Sequence, residues 1–272
     1  MNFRAARPGT LPTTSTIALG GVRCGPGTLV VPDPSIQNRV SVGPPVAWVG
    51  PTPTPRLHTL WLSAARAFPE SGLWPVVLES LDGDGARPWR DGELAPSEDA
   101  PDGVDVAELL ANAWSQAVEM GEEEPEELAP FGATFPGLGA TPATVPSDDP
   151  LGVLAGVVVD LDGALGLVAV SRPADTLAVI GWLGAVNYDL PGHELSAVLR
   201  SWEDRFGAFI VGVGFDTVTL AVTRPPADLD EALPIAAEIF AFCPDTVYQG
   251  VGSLGELAES LVQNPSWSFW WD

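Results

Sequence analysis

Trp202, Glu203, Asp204 and Arg205 stand in one run, and Cys243, Asp245 and Gln249 cluster further along the chain. Adjacent carboxylates can divide acid and base work when burial or a nearby charge drives their pKa values apart. A thiol with a carboxylate two positions on could be a nucleophile with an orienting partner. These seven residues form the candidate binding set. An enzyme or small-ligand binder would act through Glu203, Asp204, Cys243 and Asp245. The same residues also have plainer roles. Cys243 lies between Phe242 and Pro244 at a helix C-terminus, whereas a reactive thiolate favours a helix N-terminus or a cationic neighbour. Glu203-Asp204-Arg205 reads as the solvated, ion-paired face of a strong helix. No catalytic residue, cofactor or metal ligand is assigned.

Other motifs are weaker still. Gly250-Val251-Gly252-Ser253-Leu254-Gly255 fits GxGxxG, but that fingerprint needs a strand before it and a βαβ unit around it. Here a Cys-Pro-Asp turn precedes it, and Ser253 is explained as a helix cap. Asp82-Gly83-Asp84-Gly85 and Asp160-Leu161-Asp162-Gly163 resemble the start of a calcium loop without its closing glutamate, and turns explain both. His58 and His193 stand in separate regions with no triad logic.

The elements that must hold these residues follow from periodicity. Leu195, Val198, Leu199, Trp202 and Phe206 share one helix face, with Arg200 and Asp204 spaced i, i+4 on the other and Gly207 as the stop. Strands are expected at Phe209–Val213 and Val218–Val222. Asp228 with Glu231, and Ser253 with Glu256, read as capping boxes opening two further helices; Pro234 predicts a late start or a kink in the first. Trp267, Phe269 and Trp271 alternate with Ser268, Trp270 and Asp272, which is strand period and demands burial of the tryptophans. Pro173 and Asp175 suit the first turn of a helix carrying Leu177, Ile180 and Trp182 and ending at Gly184. Val153–Val159 and Ala164–Val170 read as a hairpin about Asp162-Gly163.

In the first half, Thr28–Val31 and Pro45–Val49 read as short strands. Leu57 to Phe68 recurs at helical spacing, closed by Pro69, and Trp74–Leu78 is an apolar strand; the set is a βαβ pattern. Asp102 is the expected cap of a helix over 104–120. Residues 1–27 are expected to be a loose Pro/Gly-rich arm, 28–118 an N-terminal α/β part, 119–150 an acidic Pro/Gly-rich insertion or linker, and 151–272 a C-terminal α+β domain. The fold class is α+β, a mixed sheet with helices packed on it. The C-terminal half has the element order of an elaborated ferredoxin-like βαββαβ unit.

The chain has 272 residues and a net charge of −24. All twelve basic residues are arginine, in keeping with a GC-rich genome. Residues 1–57 carry +4, 58–150 carry −16 and 151–272 carry −12. Such a field repels nucleic acid and anionic membrane and attracts a basic partner. Two cysteines far apart imply no disulfide framework. No secretory leader is expected, and the 151–170 run is too interrupted to span a membrane. A cytoplasmic protein with reduced thiols is expected, its oligomeric state open.

Trp202 to Ala208, Arg224-Pro225-Pro226, Phe242-Cys243-Pro244-Asp245 and Trp267 to Asp272, taken together, resemble a bacterial family common in actinomycetes, domain of unknown function family number 4253. The resemblance is strong over 171–272; Gly72 to Pro75 and Arg87 to Trp89 look like the N-terminal half of actinomycete members. Many relatives carry Asn-x-Cys-Pro where this chain has Asn187-Tyr188-Asp189-Leu190-Pro191, so a paired-thiol site with Cys243 is not implied. The resemblance lends no activity. The expectation is therefore a non-enzymatic acidic interaction protein, in one form an immunity-like binder of a basic toxin. The alternative is an enzyme or small-ligand binder at Glu203, Asp204, Cys243 and Asp245.

Overall fold

Short β-branched and aromatic runs bounded by turn residues form the strands, and amphipathic runs between them form the helices. The computed structural model describes residues 3, 6–13, 17–36, 43–51, 54, 56–81, 86–120, 127–143, 145 and 147–272. The Asp82 to Gly85 motif and most of the glutamate run at 119–127 lie outside these. β1 (Ile17–Leu19) and β2 (Val22–Cys24) make a small hairpin of their own. β3 (Thr28–Val30), β4 (Ala47–Val49), α1 (Leu57–Ser71) and β5 (Leu73–Leu78) follow. Then come α2 (Val106–Met120), α3 (Pro150–Val158), β6 (Ala164–Ala169), α4 (Thr176–Ile180) and α5 (Gly192–Phe206). The chain closes with β7 (Ala208–Val213), β8 (Thr217–Val222), α6 (Leu229–Phe242), α7 (Leu254–Leu261) and β9 (Ser266–Trp270).

Seven strands form one mixed sheet in the order β3-β4-β6-β5-β7-β8-β9. Every pairing is antiparallel except β5 with β7. β4 and β5 run the same way with β6 between them, so β4-α1-β5 is a split βαβ unit. The βαββαβ element order survives in the C-terminal half, but the strand order is not ferredoxin-like. In that arrangement the first and last strands are neighbours. Here β5, from the N-terminal half, sits between β6 and β7, and β9 pairs only β8 at the edge.

α1 and α3 cover one face of the sheet. α4, α5 and α6 cover the other, with α7 beside α6 and α2 outside α5 and α6. One hydrophobic core runs through both halves, from Phe3 to Trp271. Phe3 is buried edge-on to Trp74 and Phe209. Ala6 N donates to Ser171 O at 2.9 Å and Gly9 N to Gly72 O at 3.1 Å, so part of the expected N-terminal arm is packed on the domain. The alternation read in the last strand holds: Trp267, Phe269 and Trp271 are buried and Ser268 and Trp270 exposed.

Several expectations are corrected. The hairpin about Asp162-Gly163 is a helix, a turn and a strand. Asp149 caps α3 through Gly152 N at 3.0 Å, and Pro150 occupies the first helical position. An apolar run carries no helix-or-strand signal by itself, and the cap decides it. Asp105, not Asp102, caps α2, accepting from Ala107 N and Glu108 N. Gly181, at φ 68°, ends α4 before Gly184. Pro69 and Pro234 both lie inside their helices. Asp228 and Ser253 cap α6 and α7 as read, accepting from Glu231 N and Glu256 N.

Candidate functional site

α5 supplies Trp202 to Arg205, and the structure divides these four side chains into two pairs, Trp202 and Arg205 meeting Glu238 and Glu203 and Asp204 meeting Arg172. Trp202 is buried and stacks on Phe269, with Phe242 and Trp267 edge-on. Its Nε1 donates to Glu238 Oε2 at 2.8 Å. Arg205 meets the same Glu238 as a fork, Nη1 to Oε1 and Nη2 to Oε2, both at 2.6 Å. Gly139 N donates to Glu238 Oε1 at 2.7 Å, and Arg205 Nη1 returns a bond to Gly139 O at 2.8 Å. A carboxylate on α6 with no exposed surface is thus met by four donors, the condition under which a buried charge is tolerated.

Glu203 corrects the sequence reading most sharply. It was expected on a solvated face and is fully buried. Its Oε2 accepts from Ala174 N at 3.1 Å and its Oε1 from Arg172 Nε at 3.2 Å. It satisfies an open N–H of the one-turn 3-10 helix Pro173–Asp175, a group that would otherwise lie buried and unpaired. Asp204, more exposed, accepts from Arg172 Nη2 at 2.9 Å. Arg200 and Asp204, expected to pair, do not: Arg200 binds Asp175 at 2.5 Å and Asp102 at 2.7 Å. These contacts tie α5 to the turns that precede α4 and α2.

Cys243, Asp245 and Gln249 do come together, in the loop between α6 and α7. Cys243 is buried and its Sγ donates to Trp270 O at 2.9 Å. Burial, with a push from Asp245, drives its pKa well above the ordinary thiol range. That is the opposite of an activated nucleophile. Asp245 accepts from Tyr188 Oη at 2.7 Å and Asp272 N at 3.0 Å on Oδ2, and from Gln249 Nε2 at 2.8 Å on Oδ1. Burial, then this bond, raises the Tyr188 phenol. The loop fastens the C-terminal strand to the domain. Thr246–Val251 winds as a π-helical turn, so no strand precedes the Gly250 to Gly255 motif and its dinucleotide context is missing. Among the described residues no cluster of three or more metal-ligating side chains occurs, and no helix is long and apolar enough to cross a membrane.

A cleft lies elsewhere, where β4 and β5 end and β6 begins. Its volume is about 960 Å³, and His58, Glu79, Arg90 and Asp162 line it. Glu79 follows the last residue of β5. Its N–H donates to Val213 O at 3.0 Å and its carbonyl accepts from Trp89 Nε1 at 2.5 Å, which fixes the backbone on both sides. Asp162 precedes Gly163, where an added Cβ would stand 2.5 Å from Leu78 O. Only glycine lets β6 start this close to β5, and that approach sets Asp162 near Glu79. Burial, then the Asp162 charge, raises the Glu79 pKa above the ordinary carboxylate value. Sequence reading missed this set because its members come from separate segments. The available signal was positional: charged residues directly after one buried strand and directly before another.

No curated protein and no solved structure matches the chain. Residues 164–272, from β6 to the C-terminal aspartate, match the family model described as a domain of unknown function, DUF4253, and this part of the chain is similar to that family.

Proposed function

We propose that the protein is a non-enzymatic acidic interaction protein that binds a basic protein partner, in one form as an immunity-like inhibitor. The observation that carries this is where its charges go. Arg172, Arg200 and Arg205 are spent on internal carboxylates at largely buried positions. Glu108 and Glu119 on α2 and Glu256 and Glu259 on α7 are exposed. None of these four has an ion-pair partner among the described residues. The outer helices thus present acid that the protein itself does not neutralise, on a chain of net charge −24. Such a surface steers a basic partner and speeds its association.

The alternative, an enzyme or ligand binder at Glu203, Asp204, Cys243 and Asp245, draws less support, because those side chains are engaged in holding turns and the last strand. The buried, free thiols of Cys24 and Cys243 favour a cytoplasmic setting, and the likeness to a family common in actinomycetes favours an actinobacterial source.

The test is capture from the native host at low and moderate salt, with the four outer-helix glutamates reversed to lysine as control. A stoichiometric basic protein that is lost as salt rises, and not held by the reversed variant, is expected. A protein that emerges alone at low salt overturns the reading.

A further inference from the structure

The cleft at the end of the sheet holds two carboxylates, Glu79 and Asp162, with which no cation among the described residues forms an ion pair. Neither Glu79 nor Asp162 has a hydrogen-bond or ion-pair partner among the described residues for its carboxylate. Arg90 brings positive charge to the lining, but it is exposed and lies 3.7 Å from Asp91. His58, near the N-terminus of α1, also faces the space. The remaining walls mix Thr28, Thr54 and Ser80 with apolar side chains, among them Leu57 from α1, Leu78 from β5 and Val158 from α3. The volume suits a small organic molecule, and the cleft lies at the carboxyl ends of β4 and β5, which run the same way with β6 between them.

We infer that this cleft binds a small molecule with an apolar body and a primary ammonium head, the head seated between Glu79 and Asp162. The inference does not depend on a basic protein partner. A neutral head such as a hydroxyl can donate a hydrogen bond but no charge to offset the desolvation of both carboxylates, and an anionic head adds repulsion. An ammonium offers three donors and a charge that relieves the repulsion between the pair. Burial first, and the Asp162 charge second, hold the Glu79 pKa above the ordinary carboxylate value. Since the head needs ionised Glu79, affinity falls as pH drops through the raised value. His58, Asp162 and Arg90 are the other titratable or charged groups on the cleft.

The test is calorimetric titration of the full chain with hexylamine and 2-phenylethylamine, each beside its alcohol and carboxylate counterparts. At least one amine is expected to bind in the millimolar range or tighter, with its alcohol about tenfold weaker and its carboxylate silent. Glu79→Gln should weaken amine binding about tenfold and leave the alcohol unchanged. The inference is overturned if neither amine binds, if amine and alcohol bind alike, or if Glu79→Gln leaves amine affinity untouched. The amine-to-alcohol comparison uses the unmodified protein, so it stands even if the variant misfolds.

Discussion

Arg205 on α5 and Glu238 on α6 are joined by two parallel bonds of 2.6 Å, and Glu238 has no exposed surface. The pair is the hinge pin between two helices covering one face of the sheet. Trp202 and Gly139 complete the shell of the same carboxylate. Removing one partner of a buried pair strands the other, at a cost of about 3–5 kcal/mol. Arg205→Met or Glu238→Gln should each lose about that much in urea denaturation. The double replacement Arg205→Met with Glu238→Leu should recover part of it, because neither charge is then left alone, although Trp202 Nε1 and Gly139 N lose their acceptor. Additive losses in the double variant would show that packing, not charge, dominates the site.

The two thiols should be silent in the native protein. Cys24 and Cys243 are both buried and free, and burial raises the pKa of each. A thiol reagent at mildly alkaline pH should label neither until denaturant is added, and then both. Rapid native labelling of Cys243 would restore the nucleophile reading set aside above.

Much of the C-terminal half was legible in the sequence because its signals are local. A helix face repeating at Leu195, Val198, Leu199, Trp202 and Phe206, caps at Asp228 and Ser253, and alternation at Trp267, Phe269 and Trp271 each lie within a few residues of what they specify. The misread features depend on distant partners. Glu203 occupies a polar slot beside a buried tryptophan, and Arg172 and Ala174 N, some thirty positions away, are among the donors that make its burial possible. Asp102 looked like a cap and instead reaches Arg200. α3 is apolar on most sides because it is covered by α1 and the sheet, so it showed no period to distinguish helix from strand. The cleft was invisible because His58, Glu79 and Asp162 meet only once β5 and β6 pair.

The terminal tryptophan should carry stability far beyond its position. Trp271 is buried, its ring meets Trp182, Phe242 and Phe269, and its Nε1 donates to Phe242 O at 3.2 Å. Cutting such a side chain to alanine costs about 3–5 kcal/mol. Trp271→Ala should show a loss of that size, and Trp270→Ala, at a residue that is 40% exposed, a much smaller one. Equal losses would place the stabilisation in the strand backbone instead of the buried rings.

Glu79 supplies a pH signature that requires no ligand. Its folded pKa lies above the ordinary value of 4.5, through burial first and the Asp162 charge second. A raised carboxylate binds its proton more tightly in the folded state than in the unfolded one. Its contribution to stability is therefore fully present below the ordinary value and is lost as pH rises through the folded value. Glu79→Gln keeps the shape and cannot ionise, so it should melt above the unmodified protein at neutral pH. Melts taken from about pH 4 to about pH 8 should show the difference shrinking toward the acid end. Should Glu79→Gln melt lower at neutral pH, the carboxylate must gain more from a cation of the chain itself than it loses by burial, and the cleft would have no charge left to offer an ammonium head.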